Sequence, residues 1–538
     1  MGERTTAAGD SLAETIGWVL GNARDHARDR SLRTAAGFSQ RISPPVHRAQ
    51  VGRWESGATG ITFRQVRQYE DVLGLPEGLL LATIDNLARG HGASARQPSL
   101  PPPLADDWRD RVDDLLDKAE SPERMTGLEW RWLASALGSS DDVFLRRRDW
   151  EHLLRRIATE ADLCTGLEYQ LRDDAKACLA SHPRSARTVL DLTESVFADP
   201  TAPVYAETGI LLAHAAGHEA VDLLMRLLRD PVGEAAHYTL LWVARVLVLE
   251  GRTRISEDEW LAAHAVEVLE DAASSPRQRD AAGLLLEVVP GPRSAQVAEW
   301  LRRIGDRRVA DAVEHGRVLG ERQLDSLLEE IQARLAATTG KRPTLHPVLR
   351  SLLWQATAHA ATEVRGTALT VLMLSPQGPV IGATYASALR YALAHGPDVV
   401  VDEALIVLSW LLAPQDVPTV LELGLDPAVD ASRAGQALVA VGNARDRIDE
   451  APPGYRADDV TARLVRSARE RMGPGDGPGV PTPEPLVRGH LYALGMLGRF
   501  DALEELAPES SRPGVDPVWG AGARRWLSTP VWARPPRA

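Results

Sequence analysis

Apolar residues recur at three- and four-residue spacing along most of this chain, which is the mark of helices packed through one face. Ser11 and Glu14 read as a capping box, after which Leu12, Ile16, Val19, Leu20, Ala23 and Ala27 line one side of a helix reaching about Asp29. Ser31 is placed to cap a short second helix through Leu32, Ala35 and Ala36, and the pattern loosens over 37–43. Pro44-Pro45 favours a new helix start, and that third helix runs to about Ser56, with Gly57 as its stop. Val51, Trp54 and His47 fall on its inward side, while Arg48, Ala49, Gly52 and Arg53 fall outward. Thr62 and Gln65 form a second capping box ahead of Val66, Tyr69, Val72 and Leu73; Gly74 ends that helix, and Pro76 opens a fifth with Leu79, Leu80, Ile84 and Leu87.

Residues 91–103 are polar, then rich in Gly, Ser and Pro, and read as a linker. From 104 to 472 the helical pattern continues, interrupted at Ser121-Pro122, Asp199-Pro200, Asp230-Pro231, Ser275-Pro276, Ser375-Pro376, Pro414 and Asp426-Pro427. The segments GEAAHYTLLWVARVL, TEVRGTALTVLML, PDVVVDEALIVLSWLL and PLVRGHLYALGML share a charged first turn followed by small and Leu-like residues. Each is too short to bury its apolar face alone, so neighbours must stack. They resemble HEAT-like repeats, and an irregular helical bundle is the alternative architecture. Residues 473–485 read as a Gly/Pro-rich loop, and 486–538 as a terminal helical pair with a tail in which Trp519, Trp526 and Trp532 cap the repeat or meet a partner. The expectation is an all-α chain: a five-helix domain over 10–90, then an α-solenoid or irregular helical-repeat body.

Composition supports a helical globular protein, and at 538 residues one core is too few. The net charge of −13 excludes a chain that coats nucleic acid along its length, yet residues 24–67 carry nine arginines against Asp25, Asp29 and Glu55. That local +6 leaves −19 elsewhere, an anion-binding module joined to an acidic body. Only Lys118, Lys176 and Lys341 are lysines, a bias that fits a GC-rich bacterial coding sequence and weakens any single arginine as a clue. Cys164 and Cys178 lack metal-ligand spacing and suit a reducing cytoplasm. No apolar run reaches membrane-spanning length; a cytoplasmic protein without a membrane partner is expected.

Val46, Arg48, Val51, Arg53, Trp54, Glu55 and Gly57 together resemble the recognition-helix pattern of the lambda-repressor-like, or XRE-type, helix-turn-helix family. Residues 62–75, closing in Leu-Gly-Leu, resemble that family's fourth helix, and the likeness spans roughly residues 10–90. Two departures are a longer stretch between the second and third helices, and a mid-helix Gly52, which costs about 1 kcal/mol relative to Ala. The resemblance implies a double-stranded DNA partner, operator half-sites and a homodimer, with Glu55 pairing to a first-helix arginine, for which Arg24 is nearest. On chemical grounds Arg48 and Arg53 can each make a bidentate contact to guanine, Ala49 and Gly52 let the helix approach the bases, and Arg33, Arg41, Gln50, Arg64 and Arg67 are candidates for phosphate contacts that position without reading. Arg24, Val51, Trp54, Glu55 and Gly57 are the structural members of the motif.

Enzymatic signatures are missing. Thr339-Gly-Lys341 lacks the upstream glycine of a phosphate loop, His218-Glu219 lacks the second histidine of a zinc-protease helix, and no G-x-S-x-G elbow occurs. No catalytic residue, metal or cofactor is implied, and His214, His218, His237 and His264 read as packed or surface histidines. The expected function is a sequence-specific transcriptional regulator whose body dimerises and binds a protein or small-molecule effector. The alternative is a repeat scaffold or adaptor tethered by its N-terminal domain.

Overall fold

Helical spacing becomes helix wherever regular structure forms: among the described residues there is no strand, only an isolated antiparallel bridge between Arg317 and His359. The computed structural model describes residues 11–92, 98–102, 106–139, 143–200, 202, 205–289, 294–305, 307–339, 345–396, 398–472, 482–510, 515–535 and 537. Much of the 91–103 segment, nearly all of the 473–485 loop and Lys341 lie outside them.

The N-terminal helices are α1 (Leu12–Asp25), α2 (Ala35–Arg41), α3 (Arg48–Glu55), α4 (Phe63–Leu73) and α5 (Leu79–Gly90). Both capping boxes form, at Ser11/Glu14 and Thr62/Gln65, and Gly74 ends α4 in the left-handed conformation with φ of 63°. Several boundaries differ from the sequence expectation, among them the end of α1, at Asp25 rather than about Asp29. Asp29 caps a 3-10 turn over Arg30–Arg33, and Thr34, not Ser31, accepts from the Gly37 amide to start α2. Helix α2 then continues through 37–41, because burying Phe38 and Ile42 outweighs the glycine and polar composition that loosens the pattern there. Helix α3 starts after the prolines, at Arg48: residues preceding proline avoid the helical region, and His47, extended at φ −71° and ψ 140°, accepts from the Ala49 amide through Nδ1. His47 is therefore an exposed cap rather than a core residue.

The proline and aspartate breaks fall at helix ends in the body. Ser275 and Gln278 form a capping box with Pro276 in the first turn, and Asp426 follows the helix Val417–Leu425. Two large apolar clusters result: one draws on residues between Val112 and Val313, and the other on residues between Leu319 and Ala533. In the second, Gly435 and Gly489 lie back to back, where a Cβ on Gly489 would sit 2.8 Å from the Gly435 Cα, so the helices Ala431–Asn443 and Glu484–Met496 approach closely. The tail tryptophans belong to this packing. Trp519 and Trp526 are buried, the former edge-on to His490 at 5.5 Å, and Arg156 lies 4.4 Å over Trp532.

The two halves of the body meet through Leu163, which belongs to the second cluster, and through polar contacts. Arg445 Nη1 donates to the Leu163 carbonyl at 2.9 Å, Arg488 Nη2 donates to the Pro200 carbonyl at 2.9 Å, Arg277 Nη2 donates to Gln436 Oε1 at 2.8 Å, and Arg245 pairs with Glu363. The N-terminal helices share the second cluster: Trp18, Leu20, Val51, Tyr69 and Leu80 are continuous with its core. Helix α5 packs against both Thr362–Met373 and Gly166–Ala180. Asn86 Nδ2 donates to the Thr367 carbonyl at 3.1 Å, Arg131 donates twice to Asp85 Oδ2 at 2.6 and 2.9 Å, and Arg89 pairs with Asp174. Residues 98–102 are held as well, because the Ser99 amide donates to Asp85 Oδ1 and Arg131 donates to the Leu100 carbonyl. The expected linker is strapped to the body at that end.

Candidate nucleic-acid interface

Helix α3 is anchored from one side and open on the other. Val51 and Trp54 are buried; Trp54 meets Tyr69 edge-on at 6.3 Å, and Phe38 lies 4.4 Å from the same ring. At the C-terminal end of α3, Arg24 Nε and Nη2 donate to the two oxygens of Glu55 at 2.6 and 2.8 Å, a two-pronged pair. Burial alone would lower the Arg24 pKa, but Glu55 and Asp25 more than offset it and hold it above the usual arginine value. Tyr69 donates its hydroxyl to Glu55 Oε1 at 3.3 Å, and burial, followed by that carboxylate, drives its pKa upward. Arg24 also donates to the Arg33 carbonyl, so one side chain joins α1, the 3-10 turn and α3.

Backbone approach completes the anchor. Gly57 has φ of 70°, and a Cβ there would fall 2.4 Å from the Ala13 carbonyl oxygen; a Cβ on Gly17 would fall 2.5 Å from the Glu55 carbonyl oxygen. Only glycine on both sides lets α1 and the end of α3 touch. Gly57 is readable from the sequence as a helix stop. Gly17 is not, since its partner is forty residues away in sequence.

The opposite face carries Arg48, Ala49, Gly52 and Arg53, all exposed. Arg48 makes no side-chain hydrogen bond or ion pair among the described residues, and neither does Arg64, exposed at the start of α4. Arg53 is oriented by Gln50, whose Oε1 accepts from its Nε at 3.2 Å, while Gln50 Nε2 reaches Thr59 at 3.4 Å. Arg41 is exposed, near enough to Asp29 to lower that carboxyl slightly after the Ser31 hydrogen bonds have done so. Arg33 keeps an exposed side chain with Nε donating to the Ala27 carbonyl at 2.8 Å.

Arg67 is the correction in this set. Its guanidinium lies between Glu70 and Glu77, at 2.6 and 2.7 Å, with Asp71 at 3.8 Å. Three carboxylates occupy the group that a phosphate would need, so Arg67 braces the α4–α5 turn instead. Glu70 is the structural partner that sequence reasoning missed. Buried to 1% exposure, its carboxylate accepts from the amides of Gly78, Leu80 and Leu81 at 3.0, 2.8 and 3.3 Å and so caps α5 from another helix. Burial raises its pKa against the pull of these amides and Arg67. This cap also explains why α5 starts at Leu79, beyond Pro76.

No family model, curated protein or solved structure matches this chain. The site must therefore be read from its own chemistry: an exposed, arginine-bearing helical face with short residues between the arginines, held rigidly from behind. Its charge suits a polyanion, and its flat Ala49–Gly52 centre suits a partner that approaches the helix backbone closely.

Proposed function

We propose that the chain is a sequence-specific, DNA-binding transcriptional regulator of the XRE-type helix-turn-helix kind, with the helical-repeat body serving dimerisation and effector or partner binding. The observation that carries this reading is the α3 face, where Arg48, Ala49, Gly52 and Arg53 stay exposed although the N-terminal helices are packed deeply into the rest of the chain. In this reading Arg48 and Arg53 donate to guanine edges in the major groove, and Ala49 and Gly52 set the approach distance. Arg33, Arg41, Gln50 and Arg64 contact phosphates. Two copies place their α3 helices on half-sites about one DNA turn apart.

Selection of bound sequences from a random duplex pool, followed by mobility shifts over a salt series, tests the proposal. Specific binding is expected to weaken steeply with salt. Arg48→Ala and Arg53→Ala should each cost about 1–3 kcal/mol and relax preference at one base pair, whereas Arg64→Ala should weaken all sequences alike. An absence of sequence preference at moderate salt would remove the regulator reading in favour of a scaffold or adaptor, which the firm docking of the N-terminal helices on the body also suits.

A further inference from the structure

A cavity of about 210 Å³ lies where the N-terminal helices meet the body. Trp18, Val19, Asn22 and Ala23 of α1 form one wall, and Leu79, Leu80 and Thr83 of α5, with Leu75 before it, form another. Val371, Leu374, Ser375 and Pro376, at the end of the helix Thr362–Met373 and just after it, close the space. No ionisable side chain lines it.

Its few polar groups already have partners. Asn22 and Gln377 exchange amide hydrogen bonds, with Asn22 Nδ2 donating to Gln377 Oε1 at 2.8 Å, and Gln377 also contacts His26. Thr83 donates its hydroxyl to the Leu79 carbonyl at 2.8 Å, and Ser375 donates to the Leu372 carbonyl at 2.8 Å. A charged guest would lose its hydration with no countercharge in the wall, and a strongly hydrogen-bonding one would have to break these bonds. An apolar guest loses nothing comparable and gains contact with Trp18 and four leucines. Apolar cavities of about 150 Å³ stay dry and take up benzene, so this one has room for a fused two-ring molecule of about ten carbons. Pro376 is exposed, which gives the space an edge on the surface.

We propose that this junction cavity is a binding site for a small, neutral, mostly aromatic or alicyclic molecule, which bridges α1 and α5 to the Thr362–Met373 helix. The guest touches both bodies of helix at once, so occupancy strengthens their docking. The proposal stands on the cavity and is independent of what α3 contacts.

The full-length chain titrated with 1-fluoronaphthalene, followed by fluorine NMR, provides the test. Saturable one-site binding is expected, with slower exchange of the backbone amides of α1 and α5 in the bound state. Val371→Phe and Leu79→Phe each fill the space from an opposite wall, so each should weaken binding at least tenfold while the helical circular dichroism is kept. Should one variant fail to fold, the other carries the comparison. No saturable binding up to the solubility of the probe would overturn the proposal. Equal binding by a folded filled variant would overturn it too, since the probe would then sit elsewhere.

Discussion

A Cβ added at Gly52 would meet nothing within 4 Å, and the backbone there needs no left-handed conformation, so alanine fits without strain. Gly52→Ala should therefore stabilise the chain by about 0.5–1 kcal/mol, because glycine loses more backbone freedom on folding. The urea midpoint should rise accordingly. If α3 lies in the major groove, the same methyl stands between helix and bases, and affinity for the selected duplex should fall. Greater stability with unchanged affinity would place Gly52 away from the contact surface. Single residues were legible here where local spacing decides them: Val51 and Trp54 inward, Gly52 and Arg53 outward, Gly57 at the stop. Residues whose roles depend on distant partners were not. Arg67 looks like a free surface cation until Glu70, Asp71 and Glu77 are seen around it, and Gly17 looks like an ordinary helix glycine until the end of α3 is laid against it.

Element boundaries show the same division. The start of α4 is written locally in Thr62 and Gln65, and its end in Gly74; both ends are where spacing puts them. The start of α5 is set by a carboxylate in the preceding helix, which local composition cannot reveal. Replacing Glu70 tests that dependence. Glu70→Ala leaves the Gly78 and Leu80 amides buried without an acceptor and removes the closest partner of Arg67, a loss of about 2–3 kcal/mol. Glu70→Gln keeps one acceptor oxygen and should lose less. Hydrogen exchange at Leu80 and Leu81 should speed up more in the alanine variant than in the glutamine variant. Equal, small effects in both would show that α5 is held by its packing on the Thr362–Met373 and Gly166–Ala180 helices alone. The docking itself was not legible either: Asn22–Gln377 and Asp85–Arg131 join residues far apart in sequence, and a Gly/Ser/Pro-rich segment between helices reads as a free tether until Ser99 and Leu100 are found bound.

Across the whole molecule, burial of ionisable groups ties stability to pH. Burial pushes His214, His237, His359 and His490 down to about 4, from an ordinary value of 6.5. The unfolded chain therefore takes up protons at these positions below pH 6.5 while the folded chain does not, so stability is complete above 6.5 and falls as the pH drops towards 4. Asp174 works the other way. Burial, with Asp85 and Asp173 nearby and only partly opposed by Arg89, raises it to about 7, so its contribution is present below its ordinary value of 3.8 and is lost as the pH rises to 7. Asp174 is the carboxyl moved furthest this way, with Glu70, Glu250 and Asp416 raised less by burial, so the four strongly lowered histidines give a net loss on acidification between pH 6.5 and 4.5. His490 isolates the effect because it is fully buried, with Nδ1 donating to the Leu486 carbonyl at 2.9 Å and Nε2 accepting from Ser467 at 3.1 Å. Burial, and Arg471 after it, disfavours a positive charge on that ring. His490→Gln retains a donor and an acceptor but cannot titrate. Its own folding cost appears at every pH, whereas the difference between its stabilities at pH 7 and pH 4.5 should be smaller than in the parent by roughly 2 kcal/mol. Urea unfolding of both chains at the two pH values reads that difference directly. Parallel losses would mean that His490 takes up its proton without unfolding the helices Ala457–Met472 and Glu484–Met496 around it.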